Sequence, residues 1–318
     1  MQGYSKLVIV GNGFDLYCNL PTSLADFRNY FLKRVNEKMM ELDIQKIWGK
    51  CPFEITYPHS LSNPQLKFWM DYEQSLAQIN RNTLRELNIE KQKECLESTY
   101  TLANVLFQEW ICSVDQQCYS SKKGNVSDDA FFITFNYTHT LQYFFGAKDE
   151  QIYHIHGNTS SPEQIKVGHN KGKRTKPKPD VYDHSIVGQR NYIIDSYLYK
   201  TDKKSNNIKS TLTKKDVGKL TSASKNNILL KKQKEIIDFR QLREIIIIGH
   251  SMNEIDKTYF TYFHNKTKNF SPFWKIFTFN GDDVARADKL LKHLQIPHQN
   301  FALLEYCDIT AQDAINFA

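Results

Sequence analysis

LVIVGNGFDLYCNLPTS, residues 7–23, decides the fold class of this 318-residue chain. Leu7 to Val10 is an unbroken apolar run, as a strand covered on both faces requires. It leads straight into Gly11-Asn12-Gly13. Two glycines let the backbone reach positive φ and bring its N–H groups close to an anion, so the turn is a candidate phosphate cradle as well as a plain tight turn. The full G-x-G-x-x-G fingerprint is absent because residue 16 is Leu. Pro21 argues against a helix that starts at once. Asp15 places a carboxylate where a phosphate would be repelled.

Outward from that run, other short β-branched or aromatic stretches read as buried strands: FFITF (131–135), QIYHI (151–155), IKVG (165–168), EIIIIG (244–249), KIFTF (275–279) and ALLEY (302–306). Helical stretches lie between them. Thr22 or Ser23 can cap the first, which carries Leu24, Phe27, Tyr30 and Phe31 at helical spacing. Residues 66–88 and 90–112 have the apolar periodicity of two long amphipathic helices, and a further helix is expected from Glu254 through Phe263. Strands alternating with helices predict an α/β fold, a Rossmann-like and mainly parallel sheet with a helical insertion after the first strand. The insertion covers about 24–125, a second, polar one covers 170–235, and the whole of 1–318 reads as a single α/β domain.

Composition sets outer limits. The chain is 40% hydrophobic and 13% aromatic with 13 Gly and 9 Pro, which is a folded rather than a disordered composition. No stretch approaches the roughly 20 apolar residues that cross a bilayer, and the N-terminus has no basic-then-apolar leader, so a cytoplasmic protein without a membrane anchor is expected. Six scattered cysteines without a C-x-x-C pair read as free thiols, with no zinc module. The net charge is +7, but Lys200–Lys234 alone carries eleven Lys against Asp202 and Asp216. Lys166–Lys178 adds five Lys and Arg174 without an acid, leaving the rest of the chain acidic. Such segments can hold nucleic acid electrostatically or simply be solvated insertions.

Ligands of open α/β sheets bind beyond the carboxyl ends of the strands, so the loops after the predicted strands are candidate sites. Four are chemically unusual. Gly11-Asn12-Gly13 is the first. In TFNYTHT (134–140), Asn136 can orient a water or a sugar hydroxyl, or merely make a turn. In HIHG (154–157), His154 and His156 project to one face if Ile155 enters the core, and either is a candidate general base or a structural imidazole. In GHSMNEID (249–256), a Gly-His-Ser turn exposes backbone donors and a hydroxyl before a helix, although Ser251 or Asn253 can equally be a cap. It is not the G-x-S-x-G elbow of a hydrolase.

These blocks, in this order, resemble the bacteriophage abortive infection AbiH family. The resemblance rests on GNGFD, LPTS, ADF, WMDYE (69–73), TFNYTHTL, HIHG, VGHN (167–170) and GHSMNEIDKTYF, and runs from residue 7 to about 263. More distantly, the G-x-G loop, the Asn loop and the His-Gly pair are similar to sirtuins and sirtuin-like antiphage NAD hydrolases. That likeness implies a catalytic-pocket role for Asn136 and a catalytic role for His156. It implies nucleotide contacts from Gly11, Asn12, Gly13, Phe14 and Asp15, and from Gly249, His250 and Ser251. Three departures stand out. Asp15 replaces the usual Ser, the paired-cysteine zinc module is missing, and Thr138 stands where the NAD hydrolases tend to have Asp.

The expectation is a phage-defence effector that takes NAD or a related nucleotide as substrate or ligand and hydrolyses its N-glycosidic bond, with no cofactor and no metal required. Asn136 would position ribose or water and His156 would act as base. The amides of Gly11 to Phe14 would hold the pyrophosphate, and Asp15 would meet the ribose or the developing positive charge. A phage-derived trigger and self-association are the partners such an effector implies. Two other classes fit the same residues: a metal-dependent nuclease using Asp15, Asp71 and Glu73 with the basic insertions, and a nucleotide sensor that binds without turnover.

Overall fold

A computed structural model describes residues 3–57, 61, 63, 72, 86–119, 122–162, 165, 167, 238–253 and 256–317. Most of the expected 66–88 helix, the lysine-rich insertion at 170–235, Asp71, Glu73 and the greater part of VGHN lie outside the described residues. Of the IKVG strand only Ile165 and Val167 are described, and neither is in a strand.

Eight strands are described: β1 (Lys6–Val10), β2 (Gly124–Val126), β3 (Ala130–Thr134), β4 (Ile152–His154), β5 (Glu244–Ile248), β6 (Phe273–Thr278), β7 (Phe301–Glu305) and β8 (Ile315–Phe317). Six form one sheet in the order β4-β3-β1-β5-β6-β7, and every neighbouring pair is parallel. The chain therefore has the expected α/β architecture. β1 lies inside the sheet, flanked by β3 and β5, and the apolar run that opens the sequence is buried throughout from Leu7 to Val10. Crossover connections between parallel strands put helices on both faces, which is why the central strands carry almost no polar residues. β2 and β8 make a separate antiparallel ladder, and Phe317 on it packs against Phe14, Tyr17 and Phe145.

The described helices are α1 (Asn12–Tyr17), α2 (Leu24–Glu41), α3 (Ile44–Trp48), α4 (Pro52–Thr56), α5 (Ile89–Asp115), α6 (Thr140–Phe145), α7 (Lys257–Thr267) and α8 (Gly281–Leu294). Ser23 starts α2 through a reciprocal capping box with Asp26, and Asn280 starts α8 by accepting from Asp283 N. The expectation that Pro21 delays the first helix is corrected. α1 begins at Asn12, directly after β1, and Pro21 falls in the link between α1 and α2. That link turns at Asn19, in the left-handed region at φ 62°.

The chain divides into two compact units, one from residues 1–22, 111–165 and 228–318, the other from 23–110 and 166–227. The first holds the sheet, whose core joins Leu7, Ile9, Phe131, Ile133, Ile245 and Ile247 to Phe260 and Phe263 of α7 and Leu290, Leu291 and Leu294 of α8. The second is organised by aromatic packing. Phe27 of α2 meets Phe31, Tyr72, Phe107 and Trp110 with ring centroids 5.1–5.9 Å apart. No helix among the described residues is long and apolar enough to cross a membrane.

Candidate functional site

Strand register decides which loops meet. Val10 is level with Thr134 of β3 on one side and Ile248 of β5 on the other, and Thr134 is level with His154 of β4. The GNGFD, TFNYTHT, HIHG and GHS loops therefore leave four consecutive strands at the same edge of the sheet. The carboxyl edge of a parallel sheet is where open α/β folds bind ligands.

The glycines of two of these loops serve close backbone packing. Gly11 N donates to Ile248 O at 3.0 Å and Gly13 N to Gly249 O at 2.7 Å, while Phe14 N bonds back to Gly11 O at 2.9 Å. A Cβ on Gly11 would stand 2.6 Å from His250 Cα, one on Gly13 2.9 Å from Gly249 Cα, and one on Gly249 2.2 Å from Phe14 N. Three of the four amides expected to face a pyrophosphate are thus engaged within the chain. The sequence pattern G-N-G is explained by a backbone contact between the loops after β1 and β5.

Asp15 of α1 is buried, 1% exposed. Its Oδ2 accepts from Thr138 Oγ1 at 2.6 Å and its Oδ1 from Thr140 Oγ1 at 2.7 Å. Burial pushes its pKa up to about 6 from an ordinary 3.8, against hydrogen bonds from Thr138, Thr140 and Asn136 that pull it down. The carboxylate thus fastens α1 to the TFNYTHT loop and stores negative charge inside the site.

Asn136 is 5% exposed. Its Nδ2 donates to Gly11 O at 3.1 Å, and its Oδ1 is buried without a hydrogen-bond partner among the described residues. A buried amide oxygen left unsatisfied costs roughly 1–3 kcal/mol, so it is a standing acceptor for a ligand hydroxyl or a water. His156, also buried, sits among aromatic rings. Its centroid is 5.4 Å from Phe135, 6.1 Å from Tyr137 and 6.2 Å from Tyr259 of α7.

Two further imidazoles of the loops, His154 and His250, are fixed as neutral rings. His154 Nδ1 donates to Asn136 O at 3.1 Å and its Nε2 lies 3.3 Å from Gln142 Nε2, which donates to it. Burial lowers its pKa to about 4. His250 Nδ1 accepts from Met252 N at 2.9 Å, its ring lies 4.3 Å from Phe135, and burial lowers its pKa to about 3. β4 ends at His154, so strand alternation does not carry on to His156, and the two histidines of HIHG have different neighbours. Ser251 is exposed, and Met252 beyond it takes a left-handed φ of 51°.

Next to that turn is a cavity of about 120 Å³ lined by Met252, Asn253, Lys257, Arg286, Lys289 and Leu290. Arg286 and Lys289 sit three residues apart on α8 and therefore share a face, while Lys257 opens α7. Arg286 is also paired with Asp283. Three cations around one small cavity suit an anionic group. Sequence reasoning passed over these cations because Lys257 is distant in the chain from Arg286 and Lys289, and α8 carries no motif to mark it. Among the described residues, no group of three or more His, Cys, Asp and Glu side chains is set to hold a metal ion.

Residues 7–277 match the model of the family described as bacteriophage abortive infection AbiH. No curated protein and no solved structure matches the chain. The matched span takes in β1 to β6 and all four loops at the edge of the sheet, and on that match the chain belongs to the bacteriophage abortive infection AbiH family.

Proposed function

We propose that this abortive-infection protein binds NAD or a related nucleotide at the carboxyl edge of its sheet and hydrolyses the N-glycosidic bond. The observation that carries the reading is Asn136. It is an almost fully buried amide, held by Gly11 O, with an unsatisfied oxygen at the point where four strand-end loops meet. In this reading Asn136 Oδ1 accepts from a ribose hydroxyl or from the attacking water, and His156 takes the proton released as water adds. Tyr137 and Tyr259, both half-buried around His156, offer ring faces to a cationic nicotinamide. Charge on the sugar becomes positive as the bond breaks, and the buried Asp15 carboxylate, tied to the same loop by Thr138, favours that charge at a distance.

The phosphates take a different place from the one the glycine turn suggested. With the amides of Gly11, Gly13 and Phe14 engaged, the cavity of Lys257, Arg286 and Lys289 is the better partner for a pyrophosphate. α7 links the two halves of the proposed site, since Lys257 and Tyr259 stand two residues apart near its start.

The test is direct. Full-length protein is incubated with NAD, with and without a chelator, and nicotinamide is followed by chromatography. The reading expects chelator-independent release that falls by about 10²–10³-fold in Asn136→Ala and by about 10²–10⁴-fold in His156→Ala. Tight NAD binding without release, even with a phage lysate added, would replace hydrolysis with sensing. Neither binding nor release would overturn the proposal.

A further inference from the structure

We propose that Ser160 is the nucleophile of a second reactive centre, a Ser160–His139–Asp115 relay that accepts acyl groups from carboxylic esters. Three separate segments build it: the end of α5 supplies Asp115, the TFNYTHT loop supplies His139, and the loop after β4 supplies Ser160. Asp115 Oδ1 accepts from His139 N at 2.6 Å, and Asp115 Oδ2 lies 2.7 Å from His139 Nδ1. The other ring nitrogen, His139 Nε2, lies 3.0 Å from Ser160 Oγ. Thr159 Oγ1 also donates to Asp115 Oδ2.

The polarity of the chain of bonds follows from its inner end. Burial would raise the pKa of Asp115, but hydrogen bonds from His139 and Thr159 outweigh it and hold the carboxyl below its ordinary range. An ionised carboxylate at Nδ1 places the ring proton there, which leaves the Nε2 lone pair to accept from the Ser160 hydroxyl. Exposure is graded in the sense a nucleophile needs, since Asp115 and His139 are buried and Ser160 is exposed. Carboxylate to Nδ1, Nε2 to hydroxyl is the geometry by which serine hydrolases are recognised, whatever the chain order of the three residues.

The step balances with water as the only co-reactant. Ser160 Oγ bonds to the ester carbonyl carbon while its proton passes to His139 Nε2. The tetrahedral adduct expels the alkoxide, which leaves as the alcohol with that proton. Water then attacks the acyl-serine, giving a proton to His139 and releasing the acid as Oγ takes the proton back. Ser160 N is held by Asn158 Oδ1 at 3.1 Å, so a swing of that side chain would release a backbone donor to the oxyanion.

The experiment uses no nucleotide, so its outcome is independent of the NAD reading. Full-length protein is treated with a fluorophosphonate, the modified residue is located by peptide mass spectrometry, and p-nitrophenyl acetate hydrolysis is followed in parallel. Labelling is expected at Ser160, absent in Ser160→Ala and unchanged in Ser161→Ala. It should slow by about 100-fold in His139→Gln, with ester hydrolysis falling in step. Thermal melts establish that the variants are folded. If His139→Gln does not fold, the site of labelling in the wild type decides the matter. A Ser160 that stays unlabelled in the folded wild type overturns the proposal, as does labelling at an unchanged rate in folded His139→Gln.

Discussion

Gly13 donates its amide to Gly249 O across 2.7 Å, so the loop after β1 rests directly on the loop after β5. Gly249 is at φ +63°, and a Cβ there would meet Phe14 N at 2.2 Å. Gly146 has a similar φ of +70° but open space around it. Gly146→Ala should therefore cost only the left-handed penalty, about 1–2 kcal/mol. Gly249→Ala adds a clash with backbone and should cost more than about 3 kcal/mol. Urea unfolding of the two variants measures the difference, and equal losses would mean that the loops are not pressed together.

Asp15 makes stability depend on pH. Its folded pKa, about 6, lies above the ordinary 3.8, so the folded chain holds a proton between those values that the unfolded chain has lost. Its contribution therefore falls as pH rises from about 4 to about 6 and is level above that, for a total of about 3 kcal/mol. Asp15→Asn should gain on the wild type across this window and keep the gain at neutral pH. The gain will be less than the full figure to the extent that Thr138 and Thr140 suit a carboxylate better than an amide. Parallel denaturation curves at several pH values test this, and a wild-type-minus-variant difference that is flat with pH would remove Asp15 from the account.

His154 and His250 act in the opposite direction. Burial lowers both from the ordinary 6.5, to about 4 and about 3. The unfolded chain protonates first as pH falls, so each ring withdraws stability from about pH 6.5 down towards its folded pKa, about 3 kcal/mol apiece by pH 4. Imidazole resonances followed by NMR should show both rings still neutral at pH 5. Titration of either near 6.5 in the folded protein would contradict the burial that holds them.

The cation cavity can be tested apart from catalysis. On the nucleotide reading, Arg286→Glu and Lys289→Glu should each weaken NAD binding by about 10-fold or more, with a loss that shrinks as salt is raised. Lys292→Glu, on an exposed residue of α8 paired with Asp288, is the control and should bind as the wild type does. Calorimetric titration reads all three, and equal behaviour of the three variants would remove the phosphates from this cavity.

The sheet was readable because central parallel strands must be apolar on both faces. The apolar run Leu7 to Val10 became β1, which starts one residue earlier at Lys6, and EIIIIG became β5 with only its final glycine left out. The capping signal before Leu24 was readable for a similarly local reason. The two-stranded β2–β8 ladder was not, because three-residue strands lack a period to detect, and α1 was hidden behind Pro21. In the site, the four loops could be placed at one edge because each followed a readable strand. The roles of the residues within them could not. That Gly11 and Gly13 face another loop, and that Asp15 faces two threonines, depends on contacts between residues more than 100 positions apart. The Asp115–His139–Ser160 alignment is closer in sequence, with steps of 24 and 21 positions, and was hidden because no motif marks a carboxylate at a helix end as the partner of two loop residues.

The position of β1 also governs when the protein can come into being. Lys6 pairs with Ala130 on one side and with Glu244 on the other, so the first strand made is the one that waits longest for both neighbours. At roughly 5–20 residues per second of synthesis, the second partner follows the first strand by tens of seconds. Pairings this distant in sequence also fold slowly once the partners are present. The edge where GNGFD meets GHS therefore cannot assemble on a nascent chain shorter than β5. A product truncated before β5 would carry GNGFD, TFNYTHT and HIHG without the site.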